Sequence, residues 1–133
     1  MATMQFELVS PERILFSGEV EAVLLPATEG DMTVMPGHAP AITTLKAGFV
    51  VATDHKNHGE RVLVRGGFAE INAAGVIVLA ERATPVEELT PEKIAHEITE
   101  LETRRDGSED DMARRAYDEM IGQLNEARET LKL

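Results

Sequence analysis

Over most of the first 86 residues apolar and polar positions alternate with a period of two, after which the period becomes helical. Phe6 and Leu8 alternate with Gln5, Glu7 and Val9 until Pro11 breaks the run. Ile14, Leu15 and Phe16 lead to Ser17 and Gly18, and alternation resumes from Glu19 to Val23. The pattern therefore predicts a turn or bulge at Gly18 and a strand end at Pro26, after Leu24 and Leu25. Ala41 to Leu45 and Gly48 to Ala52 are short apolar segments. The polar cluster 54–60, with Asn57 and Gly59, reads as a hairpin tip. Arg61 to Arg65, Phe68 to Asn72 and Val76 to Ala80 complete a series of short strands with closely spaced turn signals. That spacing predicts a β-sandwich or barrel with hairpin neighbours.

Two glycine-kinked stretches stand out within it. In Glu29 to Pro40, Gly30 and Gly37 flank the apolar run Met32 to Met35, and Pro36 and Pro40 bracket His38. In Val64 to Glu70, Gly66 and Gly67 interrupt a β-like run, the mark of a bulge or of close backbone approach. Both read as parts of a surface shaped to fit a partner.

Past Ala83, Thr84 and Pro85 glycine nearly vanishes and charge density rises. Thr90 and Pro91 supply an N-cap and a first-turn proline, with Glu92 favourable at the positive helix end. Ile94, Ile98 and Leu101 follow at helical spacing, and Gly107 ends this helix behind Arg104 and Arg105. Ser108 is read as opening a second helix through a capping box with Asp111. Its expected stripe is Ala113, Tyr117, Met120, Leu124, Ala127 and Leu131, a narrow seam that predicts an antiparallel hairpin. The division falls at residues 1–86 for the β domain and 87–133 for the hairpin. So thin a seam barely offsets its ordering entropy, which predicts a mobile appendage unless the hairpin docks on something.

Composition narrows the function. The 133 residues carry a net charge of −11, of which fourteen acidic and seven basic residues from Glu87 onward contribute −7. Nucleic acid binding, driven by Lys and Arg on phosphates, is disfavoured, and so is adhesion to an anionic lipid surface. There is no cysteine, hence no disulfide framework and no thiolate metal site. No signal peptide and no membrane-spanning run is seen.

Candidate chemistry is sparse. His38 with Glu29 and Asp31 would need a positioned nucleophile or water and an oxyanion donor to act as an acid–base set, and none accompanies them. No catalytic residue is expected. His55 and His58, near Asp54, have a spacing able to hold a metal loosely, but they read more simply as solvated hairpin residues, so no metal site is expected. His96 lies off the Ile94–Ile98–Leu101 stripe and reads as a surface residue. A free-standing β-sandwich module for a small ligand or carbohydrate is the alternative of a different class. Such a module favours exposed aromatic platforms, whereas this chain has no Trp and a single Tyr, in the tail.

The ordered set FSGEV, EGD, PGHAP, RGGF and LAERA, followed by two helices, closely resembles the epsilon subunit family of bacterial F-type ATP synthases, whose mitochondrial counterpart is delta. The resemblance implies a β + α fold: a ten-stranded flattened sandwich followed by an antiparallel two-helix hairpin. It implies a non-catalytic rotor subunit of the central stalk, one copy per complex, without cofactor and peripheral on the cytoplasmic face of the inner membrane. It would couple the gamma subunit to the polar loops of the c-ring, and its tail could reach the alpha and beta subunits of the catalytic head and inhibit ATP hydrolysis. By matching motifs, Glu29, Gly30, Asp31 and His38 fall at the c-ring contact, and Pro40, Gly66, Gly67 and Phe68 near the gamma contact. Some family members bind ATP through an Ile/Leu-Asp-x-x-Arg-Ala motif on the tail. Here the counterpart is Asp111, Arg114 and Arg115, with Asp110 before it and Arg115 in place of the alanine.

Overall fold

The computed structural model describes residues 2–54 and 59–132. Two compact units divide it, Met1–Val86 and Glu87–Leu133. The first contains ten strands: β1 (Met4–Val9), β2 (Ile14–Val20), β3 (Ala22–Ala27), β4 (Gly30–Val34), β5 (Ala41–Thr44), β6 (Gly48–Thr53), β7 (Gly59–Val64), β8 (Gly67–Asn72), β9 (Gly75–Ala80) and β10 (Ala83–Pro85). They form two five-stranded sheets, in the orders β2-β1-β9-β8-β5 and β10-β7-β6-β3-β4. Between them lies a mostly aliphatic core, with Phe6, Leu8, Val23, Leu25, Val34, Val64, Val76 and Val78 almost wholly buried. Of the two folds that the short, evenly spaced strands predict, sandwich or barrel, the sandwich is the one found.

Several local expectations change. Gly18 is neither turn nor bulge: β2 runs straight through it, paired with Phe6. Phe6 and Phe16 stack with ring centroids 5.4 Å apart. The irregularity lies where Val9 pairs with Ile14 and Leu8 with Phe16, leaving Leu15 as the extra residue. The break between β2 and β3 falls at Glu21 instead. Nor does Pro26 end its strand, because the ladder from β3 to β6 stops at Leu24, so the missing N–H of Pro26 falls where β3 has no β6 partner to donate to. Gly66 and Gly67 do not interrupt one strand. They lie where the chain leaves β7 of the second sheet and enters β8 of the first, both with positive φ.

In the second unit, α1 spans Pro91–Asp106 and α2 spans Asp111–Leu131. The Thr90 hydroxyl accepts from the Lys93 amide at 3.1 Å, as a capping threonine should. The cap of α2 is Asp110, not Ser108: its carboxylate accepts from the Met112 amide at 3.0 Å. Ser108 instead accepts from the Asp110 amide, one step before the helix. A carboxylate also gains from the positive helix end, which a hydroxyl does not. The seam of α2 differs as well. Ile121, Leu124 and Ala127 are buried, while Ala113, Tyr117, Met120 and Leu131 are only half-buried. From Tyr117 a four-residue step to Ile121 followed by three to Leu124 keeps the same face, so Ile121 takes the central position expected of Met120. Arg105, in the last turn of α1, reaches Asp118 of α2 at 2.9 Å and ties the two helices together.

Candidate functional site

One end of the sandwich gathers the acidic loop. Thr28 and Glu29 link β3 to β4, and Ala27 pairs with Gly30 across the turn. Neither Thr28 nor Glu29 has positive φ; Gly30, at φ +132°, takes up the mismatch between turn and strand. The hairpin is sewn to the other sheet by Thr28 N–H to the Thr44 carbonyl and Lys46 N–H to the Pro26 carbonyl, both 2.9 Å. The Lys46 ammonium lies 3.9 Å from the Asp31 carboxylate, an exposed and therefore weak pair. Glu29, Gly30 and Asp31 thus project from an end whose backbone is fixed by its hydrogen bonds.

Gly66, Gly67 and Phe68 share that end. Leu45 N–H donates to the Gly67 carbonyl at 2.9 Å, and Glu81 N–H to the Gly66 carbonyl at 3.2 Å. Thr44, at the end of β5, pairs with Phe68. Gly66 is itself buried, so only Gly67 and Phe68 offer surface.

His38 and Pro40 lie elsewhere. The chain reaches them along β4, whose five residues at ~3.3 Å each carry it about 13 Å from the acidic hairpin to the opposite end. There the His38 N–H donates to the Met35 carbonyl at 3.1 Å. Pro36 and Gly37 (φ +88°) take the central positions expected of a type II turn. The His38 Nδ1 is 2.7 Å from the Ala39 carbonyl oxygen, so that nitrogen carries the proton. The structure therefore brings Glu29, Gly30 and Asp31 together with Gly67 and Phe68, and separates them from His38 and Pro40.

On the tail, Asp111, Arg114 and Arg115 are exposed in the first turns of α2, and Arg114 donates to the Ser108 carbonyl at 3.3 Å. His96 is exposed on α1. His55 and His58 lie outside the described residues. Among the described residues no group of three or more His, Cys, Asp and Glu side chains is placed to hold a metal ion. No helix among them is long and apolar enough to cross a membrane.

A feature not anticipated from the sequence is the outer face of the first sheet. Cross-strand partners form a lateral row: Thr44 faces Phe68, Phe68 faces Leu79, Leu79 faces Val9, and Val9 faces Ile14. Phe68 and Leu79 are each 42% exposed and Ile14 68%. The bulge at Leu15 makes this possible, because it shifts Ile14 out of register with inward-facing Phe16 and pairs it with outward-facing Val9. Beside the row lies a shallow groove of about 350 Å3, lined by Val9, Pro11, Phe68, Leu79 and Glu81 among others. The sequence hint was faint. In β8 the outward positions are Phe68 and Glu70, but β9 is apolar at every position, so period cannot tell its outward Ile77 and Leu79 from its core residues.

Comparison with known proteins agrees with this architecture. The sequence profile of the "ATP synthase, Delta/Epsilon chain, beta-sandwich domain" matches residues 3–86. The ATP synthase epsilon chain of Chelativorans sp. (strain BNC1) is 45% identical over 92% of this chain and 90% of its own. That of Parvibaculum lavamentivorans is 40% identical over 96% of this chain and 97% of its own. Among solved structures, a chain of the Euglena gracilis mitochondrial ATP synthase OSCP/F1/c-ring assembly superposes with a TM-score of 0.74 at 25% identity, covering 96% of this chain and 82% of that one. A chain from the central stalk/c-ring of the Tetrahymena thermophila mitochondrial enzyme shares the fold at a TM-score of 0.67 and 10% identity, covering 95% of this chain and 96% of that one. With a matching profile over most of its length and full-length relatives at this identity, the chain belongs to the delta/epsilon family of ATP synthases, as an epsilon subunit.

Proposed function

We propose that this subunit is a non-catalytic coupling element of the central stalk. One surface of its β unit is held by the gamma subunit, and the acidic hairpin Glu29–Asp31 meets the polar loops of the c-ring. Ring rotation then reaches the catalytic head as torque on one rigid body, at the cytoplasmic face of the inner membrane. The observation that carries the reading is the row Phe68, Leu79, Val9 and Ile14. A line of apolar side chains facing water on an acidic domain marks an interaction surface, and it adjoins Gly67 and Phe68. The acidic hairpin is at the same end of the strands, so one body presents both contacts. Its fixed backbone suits a part that transmits force.

In the same reading the hairpin 87–133 is a regulatory arm that contacts the alpha and beta subunits and restrains ATP hydrolysis. The test is ATP hydrolysis by the alpha–beta–gamma complex alone, with the full chain, and with residues 1–86. Both forms are expected to bind, and only the full chain to slow hydrolysis. Failure of either form to bind defeats the coupling assignment. Binding of both with equal rates removes the arm's inhibitory role and leaves coupling intact.

A further inference from the structure

The strands of the first sheet hold no lysine or arginine. Their charged residues are Glu7 on β1, Glu19 on β2 and Glu70 on β8, all acidic. Among the described residues, the basic side chains of the β unit lie in turns (Arg13, Lys46, Arg65, Arg82) or on the second sheet (Arg61 on β7). Pairing places the acids with respect to the apolar row. Glu70 faces Ile77 and Ile42, and Ile77 faces Glu7, so the row next to Phe68, Leu79 and Val9 alternates aliphatic and carboxylate groups. Gln5 and Glu19 face each other one row further on. On the opposite flank Glu81 lines the groove. The apolar row is therefore bordered by Glu70 and Glu7 on one side and by Glu81 on the other, with the exposed Arg13 at its Ile14 end. Ile42, 74% exposed at the edge strand, extends the apolar surface into the mixed row.

This pattern selects among occupants. A second copy of the same face would bring carboxylates against carboxylates, which opposes self-pairing, and an anionic bilayer is repelled for the same reason. Resting on the coupling reading above, we infer that the partner segment covering this face is amphipathic and basic. It has an apolar ridge that fills the Phe68–Leu79–Val9 groove, and Lys or Arg side chains on its flanks that meet Glu7, Glu70 and Glu81. The apolar contact holds the complex, while the carboxylates set its orientation along the row and make its formation sensitive to salt.

The test measures binding of the full-length chain to the alpha–beta–gamma complex at low and high salt. Wild-type affinity falls as salt rises. The double variant Glu7→Lys, Glu70→Lys binds about tenfold or more weakly at low salt and loses most of that deficit at high salt, where screening removes charge contacts. A control, Glu60→Lys on β7 of the second sheet, changes net charge by half as much and keeps wild-type affinity to within about threefold, since a charge off this face acts only through the screened field. Leu79→Ser, at an exposed position, weakens binding at both salt concentrations. The inference is overturned if the Glu7, Glu70 variant matches wild type in affinity and salt response, or if the Glu60→Lys control loses as much. In either case wild-type binding still supports the coupling reading. Wild-type chain that does not bind the complex at all removes both.

Discussion

At Gly67 the backbone has φ +120°, and a Cβ added there would fall on the Leu79 carbonyl oxygen and Ala80 Cα of the neighbouring strand. Gly30 also has positive φ, at +132°, but a Cβ there meets open space. The two positions separate backbone strain from collision. Gly30→Ala is expected to cost about 1 kcal/mol from conformation alone, and Gly67→Ala about 3 kcal/mol or more, because β8 must move away from β9. Urea unfolding of the two variants checks the order; equal midpoints would refute the close-approach argument. The sequence signalled a special backbone at Gly66 and Gly67 through their interruption of an apolar run. It could not signal that the run is two strands in two sheets, because that depends on which partners the flanking residues find. The same holds for Ile14, whose outward position comes from one unpaired residue, Leu15, and not from any local propensity.

Among the elements, the second helix shows how a local signal is read correctly in kind and wrongly in place. Ser108, Glu109, Asp110 and Asp111 all suit a helix start, and the sequence alone does not rank them. The structure gives the cap to Asp110 and leaves Ser108 two residues earlier, in the turn. Asp110→Ala should therefore lower the stability of the hairpin by about 1 kcal/mol, while Ser108→Ala costs only a few tenths. Helicity followed by circular dichroism through thermal unfolding measures both, and a larger loss for Ser108→Ala would return the cap to the serine. Long-period features were easier to read. Ile94, Ile98 and Leu101 lie buried on α1 as their spacing requires. The α2 seam shifted toward Ile121 because adjacent apolar residues, Met120 and Ile121, satisfy a period of 3.6 almost equally well, and packing decides between them.

For the whole molecule, the β unit has a core of its own. Every buried residue of its core cluster lies between Met4 and Ala80, with Leu15, Phe16, Met32, Ala41 and Ala83 packed against it. Among the described residues of the hairpin unit, six side chains are buried: Ile94, Ile98, Leu101, Ile121, Leu124 and Ala127. Residues 1–86 are therefore expected to fold alone, with one cooperative transition and a melting temperature within about 5 °C of the β unit in the full chain. An isolated 87–133 peptide should be largely unfolded, since short helices with a thin apolar stripe gain too little to offset chain entropy. Calorimetry of the β fragment and circular dichroism of the peptide decide the matter together. A β fragment that melts without a cooperative peak would make the tail part of the sandwich's stability, and a regulatory arm could not then leave without unfolding its base. A stably helical peptide would instead make the tail a rigid lever. Cooperative melting of the fragment beside a mostly disordered peptide leaves an arm whose order depends on what it touches, so that its partners set its conformation and not its own sequence.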